Sequence, residues 1–528
     1  MKLIIRGATV AVVAATAALI AAGCGSSGSS AGDAAKSAKA LDLVPKNAIG
    51  YVTVNTDFNG DDWKQFSKMA TAFDKDFKDV GSQVSTSFED DDNKIDFKKD
   101  VEPWLGDNAG GALLDLGADG SGDNARGFIW VEIKDKAKFA KFAKDQGAKK
   151  DGSAGDFDIY QDGMDSKDYY GVNDELVVFA KDKKELASIV KFDGDSISDA
   201  DGVSDVVDEV EGGSLGALVV SGDGVRALAK DNAQLKSVAN SKQLKDFNGL
   251  SVGFSTDDNG YHVHGFVAGI GEVKNHTNKL FQQLPDTTIV ALGGNNLGGA
   301  LKSTADELGK DNQQVQQGVG ALGAALGVDL NDIADAFGGE FALAIGGDDA
   351  VIGQIAGSAV GAAMGGGLSG VDPSNLGTAG NVTLAFEAGD STAVTMDKLV
   401  GAVASLAAPG ATPKAGTAGD FETKTIDAGG LPVTAASSKD VAALSVGADV
   451  FNGWGSGTLG ESSAFKDAWG AADAPDDVAF SMFVDFGRIS KLADIKSGND
   501  YTPAGWVGWA KGDGDKATFD VFMHIKKS

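Results

Sequence analysis

The sequence predicts an α+β protein of two tandem, similar halves, in which antiparallel sheets are packed by amphipathic helices. Three observations support this prediction: one order of elements occurs twice along the chain, apolar residues recur at helical spacing, and glycine-containing turns separate alternating strands. The chain has 528 residues, which is more than one hydrophobic core usually supports, so at least two domains are expected. We place the halves at 41–272 and 280–528.

Each half is expected to open with a Leu-Pro segment and a β-strand, at 43–55 in the first half and at 284–295 in the second. An amphipathic helix then follows. In the first half its apolar face is formed by residues spaced three or four apart, namely Trp63, Phe66, Ala70, Phe73 and Phe77.

The middle of each half repeats a helix stop, a strand and a capped helix. The stop is Trp104-Leu-Gly106 in one half and Phe337-Gly338 in the other. Strand 127–133 precedes Asp135, a predicted N-cap, and strand 382–386 precedes Asp390 or Ser391. The capped helices carry apolar stripes, formed by Phe139, Phe142 and Ala143 in the first half and by Met396, Leu399, Val400, Val403 and Leu406 in the second.

Each half is expected to end with short strands and a hairpin. The short strands are predicted at 157–161, 176–180, 421–426 and 442–446. The hairpin turns are Asp257–Gly260 and Lys511–Asp515. The connection at 115–126 in the first half corresponds to a longer Gly-rich insert at 346–380 in the second. We interpret this insert as a loosely packed loop, with a contact site or a short helix as alternatives.

The N-terminus predicts export and lipid attachment. Lys2 and Arg6 precede an uncharged run over 7–23, which is the pattern of a signal peptide at 1–23. Small residues lead into Cys24, the only cysteine, as in a bacterial lipobox, although Ala21 stands where that motif usually has Leu, Val or Ile. A Gly/Ser-rich tether follows over 24–40. We therefore expect lipidation of Cys24 and a location on the extracytoplasmic face of the cell membrane. An ordinary cleaved signal and an uncleaved anchor helix are the alternatives.

The charge of the chain limits its partners. The formal net charge is −30, so the surface repels phosphate backbones and we expect no nucleic-acid partner. The expected partners are the membrane, through the lipid, and an unidentified envelope protein or small molecule. A single cysteine excludes an intramolecular disulfide.

Two glycine motifs match catalytic or nucleotide-binding patterns without the context that those patterns need. Gly212–Gly216 fits Gly-x-Ser-x-Gly, but the predicted strand at 215–220 follows the serine, whereas a nucleophile elbow needs a preceding strand. Gly455–Gly460 fits Gly-x-Gly-x-x-Gly, but it is separated from the strand at 442–446. We therefore predict no catalytic residue and no cofactor site.

Two histidines and two acidic runs have residue types that can bind metal ions. His262 and His264 are two apart on a strand and share a face, which suits a shared metal ion. No third ligand is identifiable by spacing, so an exposed strand face is the favoured interpretation. The acidic runs at 89–93 and 193–208 are interpreted as solvated loops rather than calcium sites. We predict no metal site and expect folding to need neither metal nor nucleotide.

Several core and turn motifs resemble the bacterial envelope proteins of the domain of unknown function 3352 family. They are Leu-Val-Pro-x-x-Ala-Ile-x-Tyr-Val at 43–52, Pro-Trp-Leu-Gly at 103–106, Val-Glu-Ile-Lys-Asp-x-Ala-Lys-Phe at 131–139, Leu-Pro-Asp-Thr-Thr-Ile at 284–289 and the segment from Gly338. The resemblance covers about 41–528. It implies an exported or membrane-tethered protein and supplies no catalytic residues.

Three functions are compatible with these observations. The favoured one is a non-enzymatic envelope lipoprotein that binds a partner or acts as a scaffold. The second is a solute-binding lipoprotein with a cleft between its halves. The third is an envelope hydrolase whose site has no recognisable motif.

Overall fold

The computed structural model describes residues 38–73, 77–90, 93–117, 125–162, 168–200, 202–209, 215–231, 241–310, 330–347, 380–389, 391–407, 412–492 and 500–527. These residues form two compact units. Unit 1 contains the described chain up to Glu272 together with 500–501 and Asp513–Met523. Unit 2 contains the described residues from Val273 to Leu492, Thr502–Gly512 and 524–527. Cys24 and most of the predicted insert at 346–380 lie outside the residues that the structure describes.

Unit 1 is built on an antiparallel sheet of eleven described strands, ten from the first part of the chain and one from its C-terminal part. The strands are β1 (Gly50–Asn55), β4 (Leu105–Asp115), β5 (Arg126–Ile133), β6 (Lys149–Ala154), β7 (Phe157–Gln161), β8 (Tyr169–Val172), β9 (Leu176–Ala180), β10 (Gly216–Ser221), β11 (Gly249–Thr256), β12 (Gly260–Ala268) and β22 (Lys516–Lys527), the last of which belongs to this unit up to Met523. Their order is β6-β7-β8-β9-β5-β4-β1-β10-β11-β12, and β12 also pairs with β22. Two short strands, β2 (Glu89–Asp90) and β3 (Asn93–Lys94), pair separately.

Seven α-helices and a π-helical turn accompany this sheet. They are α1 (Asp61–Ala70), α2 (Val80–Phe88), the π-turn Phe97–Val101, α3 (Lys136–Asp145), α4 (Lys183–Ile189), α5 (Val203–Glu209), α6 (Gly222–Asp231) and α7 (Lys242–Asp246). The core is formed where α4 and α5 pack on the sheet, with Trp130, Val178, Leu186, Val206 and Val219 at or below 1% exposure. Burial of such apolar side chains is the main favourable contribution to the free energy of folding.

Unit 2 has a second antiparallel arrangement. Its strands are β13 (Thr288–Asn295), β14 (Glu340–Gly347), β15 (Gly380–Glu387), β16 (Lys414–Ala418), β17 (Phe421–Ala428), β18 (Leu431–Ser437), β19 (Val441–Gly447), β20 (Phe480–Val484) and β21 (Tyr501–Asp513), the last within this unit from Thr502 to Gly512. Their order is β16-β17-β18-β19-β15-β14-β13-β20-β21.

The helices of unit 2 are α8 (Lys279–Gln283), α9 (Leu297–Lys310), α10 (Leu330–Ala336), α11 (Thr392–Ala407), α12 (Ser463–Ala471) and α13 (Phe486–Leu492). One core cluster is formed by α10, α11 and the sheet. Phe337 stacks on Phe386 with ring centroids 4.1 Å apart, and Met396, Val400 and Val433 are buried beside them. No helix in the described part of the chain is long and apolar enough to cross a membrane.

The mixed α+β class and the antiparallel strands agree with the sequence prediction. Strands β7 and β9 have the predicted bounds, and the Asp135 carboxylate accepts a hydrogen bond from the Lys138 N–H as an N-cap. The first helix is shorter than predicted, since α1 ends at Ala70 and a turn follows. The predicted stripe from Trp63 to Phe77 is therefore not one continuous helical face.

Two boundaries differ from the expected division. Ala38 and Ala40 are buried and the Lys39 N–H donates to Glu132, so the folded unit includes residues assigned to the tether. The chain divides after Glu272, close to the predicted boundary, but Asp513–Met523 belongs to unit 1. Unit 1 and unit 2 are therefore not the contiguous stretches 41–272 and 280–528.

Candidate metal centre

The β11–β12 hairpin positions the most unusual polar cluster of unit 1. Its turn is organised by the Asp257 carboxylate, whose Oδ1 accepts hydrogen bonds from the N–H groups of Asn259 at 2.7 Å and Gly260 at 2.9 Å. This is the local hydrogen bonding that favours Asp at the start of a turn. The turn also fixes the strand register, in which Ser255 pairs with His262 and Gly253 with His264.

The alternation of β12 places His262 and His264 on one face, as the sequence predicts. Their rings lie 5.7 Å apart, centroid to centroid, at an interplanar angle of 28°. The expectation of an exposed strand face is wrong for His262, because that side chain is 2% exposed and lies against the Phe522 ring with centroids 3.9 Å apart. The packing of a neighbouring strand on β12 causes this burial.

The neighbouring strand β22 supplies a third polar group, Asp520, which is 1% exposed. Its Oδ2 lies 3.1 Å from Nδ1 of His262 and 2.9 Å from Nδ1 of His264. One candidate ligand atom from each of the three side chains lies within 4.8 Å of the other two. The absence of a side chain at Gly265 allows the approach of β22, since a Cβ there would meet the Phe519 ring at 1.8 Å.

Burial sets the electrostatics of this cluster. Burial raises the pKa of Asp520, and the hydrogen bond from His264 partly offsets this rise. Burial lowers the pKa of His262 well below its ordinary value, and His264 lowers it further. Burial also raises the pKa of Asp257, against the effect of the two N–H groups of its turn. The cluster therefore favours a neutral imidazole at His262, which is the form that can bind a metal ion.

One nitrogen of the cluster has no hydrogen-bond partner within the part of the chain that the structure covers. It is Nε2 of His262, which is buried and lies 3.9 Å from Oδ2 of Asp257. A buried polar atom without a partner is unfavourable by about 1–3 kcal/mol. The arrangement can thus act as a hydrogen-bonded network with one unsatisfied atom or as a ligand set for a divalent cation.

The Gly-rich loop at 455–460 is not arranged to bind a phosphate. Its strand, β19, ends at Gly447, and a 3-10 turn at Phe451–Gly453 intervenes before the loop. The Asp286 carboxylate lies against Gly457, where a Cβ would be 2.7 Å from its Oδ2. A carboxylate at this position repels an anion.

The other sequence candidates are dispersed or used for local structure. Ser214 of the Gly-x-Ser-x-Gly match lies outside the described residues, and β10 begins after it at Gly216, as predicted. In the acidic run at 193–208, the Asp199 carboxylate accepts hydrogen bonds from the N–H and hydroxyl of Ser196 and so closes a 3-10 turn. Unit 1 also has a cavity of about 500 Å³ near Arg126, whose guanidinium is already paired with Asp115 at 3.1 Å and with Glu185 at 3.6 Å.

The sequence predicts that His262 and His264 share one face of a strand, but it does not identify Asp520 as their neighbour. The three side chains come from two hairpins, and Asp520 lies 258 residues after His262. The only available signal was the strand parity of Asp520 in the last predicted hairpin, which identifies the face of a strand but not its neighbour. Long-range strand pairing decided this contact.

Comparisons with known proteins identify a family but no activity. The model of the family described as "Protein of unknown function (DUF3352)" matches residues 4–363, which is more than half of the chain. Among curated proteins, no match is found. Crystal form IV of TP0453 is similar at 11% identity and a TM-score of 0.24, covering 45% of this chain and 83% of that chain. Crystal form III of TP0453 is similar at 10% identity and a TM-score of 0.23, covering 43% of this chain and 79% of that chain. Similarity at these TM-scores does not establish a shared fold.

Proposed function

We propose that this chain, which belongs to the family of unknown function DUF3352, is an exported lipoprotein with a non-enzymatic binding or scaffolding role in the bacterial envelope. In this proposal the lipid is on Cys24, residues 1–23 are its signal peptide, and the Gly/Ser-rich segment that begins at Cys24 links the lipid to the folded units. The folded units are held at the extracytoplasmic face of the membrane.

The observation that carries this proposal is the order of features at the N-terminus. A positive start, an uncharged run, small residues and the only cysteine occur in that sequence, and a Gly/Ser-rich segment follows at once. Such a segment is a flexible spacer, which suits a folded body attached to a surface. A diacylglycerol on the cysteine provides two acyl chains, which anchor a protein much more firmly than one.

We also propose that the two units are a tandem duplication. In unit 1, β1 is flanked by β4 and β10, and in unit 2, β13 is flanked by β14 and β20. The registers agree as well: Gly50 is opposite Leu113 and Val220, while Val290 is opposite Ile345 and Val484. Nine strands follow the same order in each unit. Such agreement is hard to obtain by chance because each pairing is an independent choice.

We favour a non-enzymatic role because the two glycine motifs lack the surroundings that a nucleophile elbow or a phosphate site needs. The Gly-rich loop at 455–460 has an acidic side chain against it, and the strand beside Ser214 follows that residue. Arg126 and Glu185, which lie 3.6 Å apart as an ion pair, line a cavity of about 500 Å³ in unit 1. A binding or scaffolding role needs none of these motifs.

The lipid anchor is tested by the Cys24→Ser variant of the full chain in a bacterial host. We expect the wild-type protein in the membrane fraction and labelled by a radioactive or alkyne-bearing fatty acid. The variant is expected to lose the label and to leave the membrane fraction or to keep its signal peptide, because the serine cannot accept diacylglycerol.

The matched control is Ser26→Ala, which changes the tether beside the lipidation site without removing the thiol. It should be labelled and fractionated like the wild type. Normal processing and full membrane retention of Cys24→Ser would show that another segment holds the protein, and the lipid assignment would then be abandoned.

A further inference from the structure

Two imidazoles and a carboxylate from β12 and β22 converge in unit 1. We propose that His262, His264 and Asp520 form a binding site for one divalent transition-metal ion of the zinc type. This inference goes beyond the proposed envelope role and does not depend on the lipid anchor, because all three side chains lie in the folded unit.

The spacing of the donor atoms suits such an ion. Two ligands at about 2.1 Å from a metal ion are about 3.0 Å apart at a right angle and about 3.4 Å apart at a tetrahedral angle. Oδ2 of Asp520 lies 3.1 Å from Nδ1 of His262 and 2.9 Å from Nδ1 of His264. The third separation, between the histidine donor atoms, is within 4.8 Å, so side-chain rotation is the adjustment that binding of one ion to all three groups requires.

The buried Nε2 of His262, which has no hydrogen-bond partner, also supports a metal ion at this site. Without a metal ion, a proton on Nδ1 is donated to Asp520 and the lone pair of Nε2 is left buried near the Asp257 carboxylate. A metal ion at Nδ1 moves the proton to Nε2, which then faces Oδ2 of Asp257 at 3.9 Å. A carboxylate behind a metal-binding histidine is a common supporting contact, and it closes here with a movement of about 1 Å.

The donor types select the class of ion. Two imidazole nitrogens and one carboxylate favour zinc, cobalt, nickel or copper, whereas calcium and magnesium prefer sites made of oxygen atoms. Access is available on the side of His264, whose side chain is 21% exposed, while those of His262 and Asp520 are 2% and 1% exposed. Solvent or a further ligand can reach the ion from that side.

The competing explanation is a hydrogen-bonded cluster that stabilises the β12–β22 pairing without an ion. In such a cluster, the Asp520 carboxylate accepts hydrogen bonds from both histidines. Nε2 of His262 is left without a partner. The two explanations differ in a direct measurement, because only a metal site binds an added cation with defined stoichiometry.

The test is isothermal titration of the purified, chelator-treated full chain with Zn²⁺, together with the visible absorption of added Co²⁺. We expect one equivalent of tight binding and d–d bands that report nitrogen ligands. The variants His264→Ala and Asp520→Asn should each weaken Zn²⁺ binding by more than about tenfold, and Asp257→Asn should weaken it less. His264 is partly exposed, so its replacement keeps the core packing.

His276→Gln, a substitution of a histidine in unit 2, is the matched control and should bind like the wild type. Circular dichroism and thermal melting without metal check that each variant is folded. Absence of binding by the wild-type chain, or unchanged binding by folded His264→Ala, overturns the site and supports the hydrogen-bonded cluster. Equal loss in His276→Gln overturns it also, because the ion would then bind elsewhere.

Discussion

In each unit a buried glutamate of the sheet accepts a hydrogen bond from a backbone N–H group near the start of that unit. In unit 1, Oε1 of Glu132 accepts a hydrogen bond from the Lys39 N–H at 3.1 Å. In unit 2, Oε1 of Glu340 accepts one from the Leu280 N–H at 2.8 Å. Burial raises the pKa of both glutamates, and these N–H groups partly offset the rise. Each carboxylate thereby gives a partner to a backbone donor at the start of its unit.

His524 in unit 2 leads to a pH prediction. Burial, together with the nearby charge of Lys526 and against that of Asp467, lowers its pKa to about 4. The unfolded chain binds a proton near pH 6.5 and the folded protein does not. The contribution of His524 to the free energy of unfolding is therefore fully present above pH 6.5, and at most about 3 kcal/mol of it is lost as the pH decreases to 4.

The His524→Gln variant tests this coupling. Its melting temperature should depend less on pH between 7.5 and 4.5 than that of the wild type, in scanning calorimetry at a fixed ionic strength. Parallel curves for the two proteins would mean that His524 does not contribute to the acid destabilisation.

At the level of elements, β4 approaches its neighbours closely at one glycine. Gly110 lies opposite Trp130 of β5, and a Cβ at Gly110 would be 2.3 Å from Cζ2 of that ring and from the Val52 carbonyl oxygen. Trp130 is fully buried in the core of unit 1. The glycine thus makes room for the largest side chain of the sheet.

We predict that Gly110→Ala destabilises the protein by about 1–3 kcal/mol, because the added methyl group overpacks a rigid region. The neighbouring Gly111→Ala is the control, since its Cβ would meet its nearest atom, the Phe128 carbonyl oxygen, at 3.4 Å. Urea unfolding monitored by tryptophan fluorescence should give a lower midpoint for the first variant only. A similar midpoint for both would contradict the close approach to Trp130.

At the level of the whole molecule, the last strand has a structural role far from its position in the sequence. Residues 516–523 of β22 belong to unit 1, where β22 pairs with β12. Phe522 and Asp520 from this strand are both buried, and both contact His262. Without β22, the side of β12 away from β11 would expose its N–H and C=O groups as a sheet edge.

A chain shortened to end at Gly514 should therefore lose protection of β12. Hydrogen exchange measured by mass spectrometry is expected to show faster exchange of peptides covering Gly260–Ala268 in the shortened chain. Peptides covering β16 and β17 in unit 2 serve as the internal control and should exchange as before. Unchanged protection of β12 would show that β22 does not stabilise this strand.

Part of the fold follows from local sequence patterns. The strands at 157–161 and 176–180, the N-cap at Asp135 and the turn at 257–260 were all predicted. Each depends on residues within one or two turns of chain, through alternation, capping or an Asx hydrogen bond. The end of α1 at Ala70 was missed because the apolar spacing continues beyond it. Spacing alone does not mark a helix end without a strong stop signal.

By itself, the sequence determined the α+β class, most strands, the family resemblance and the pairing of His262 with His264 on one face. These depend on local periodicity and on motifs, which one chain displays directly. Only the tertiary structure decided that Asp520 joins the two histidines, that His262 is buried, and that Asp513–Met523 belongs to unit 1. The physical reason is that alternation fixes the face of a strand, whereas its neighbour is chosen by packing between segments that are 258 residues apart.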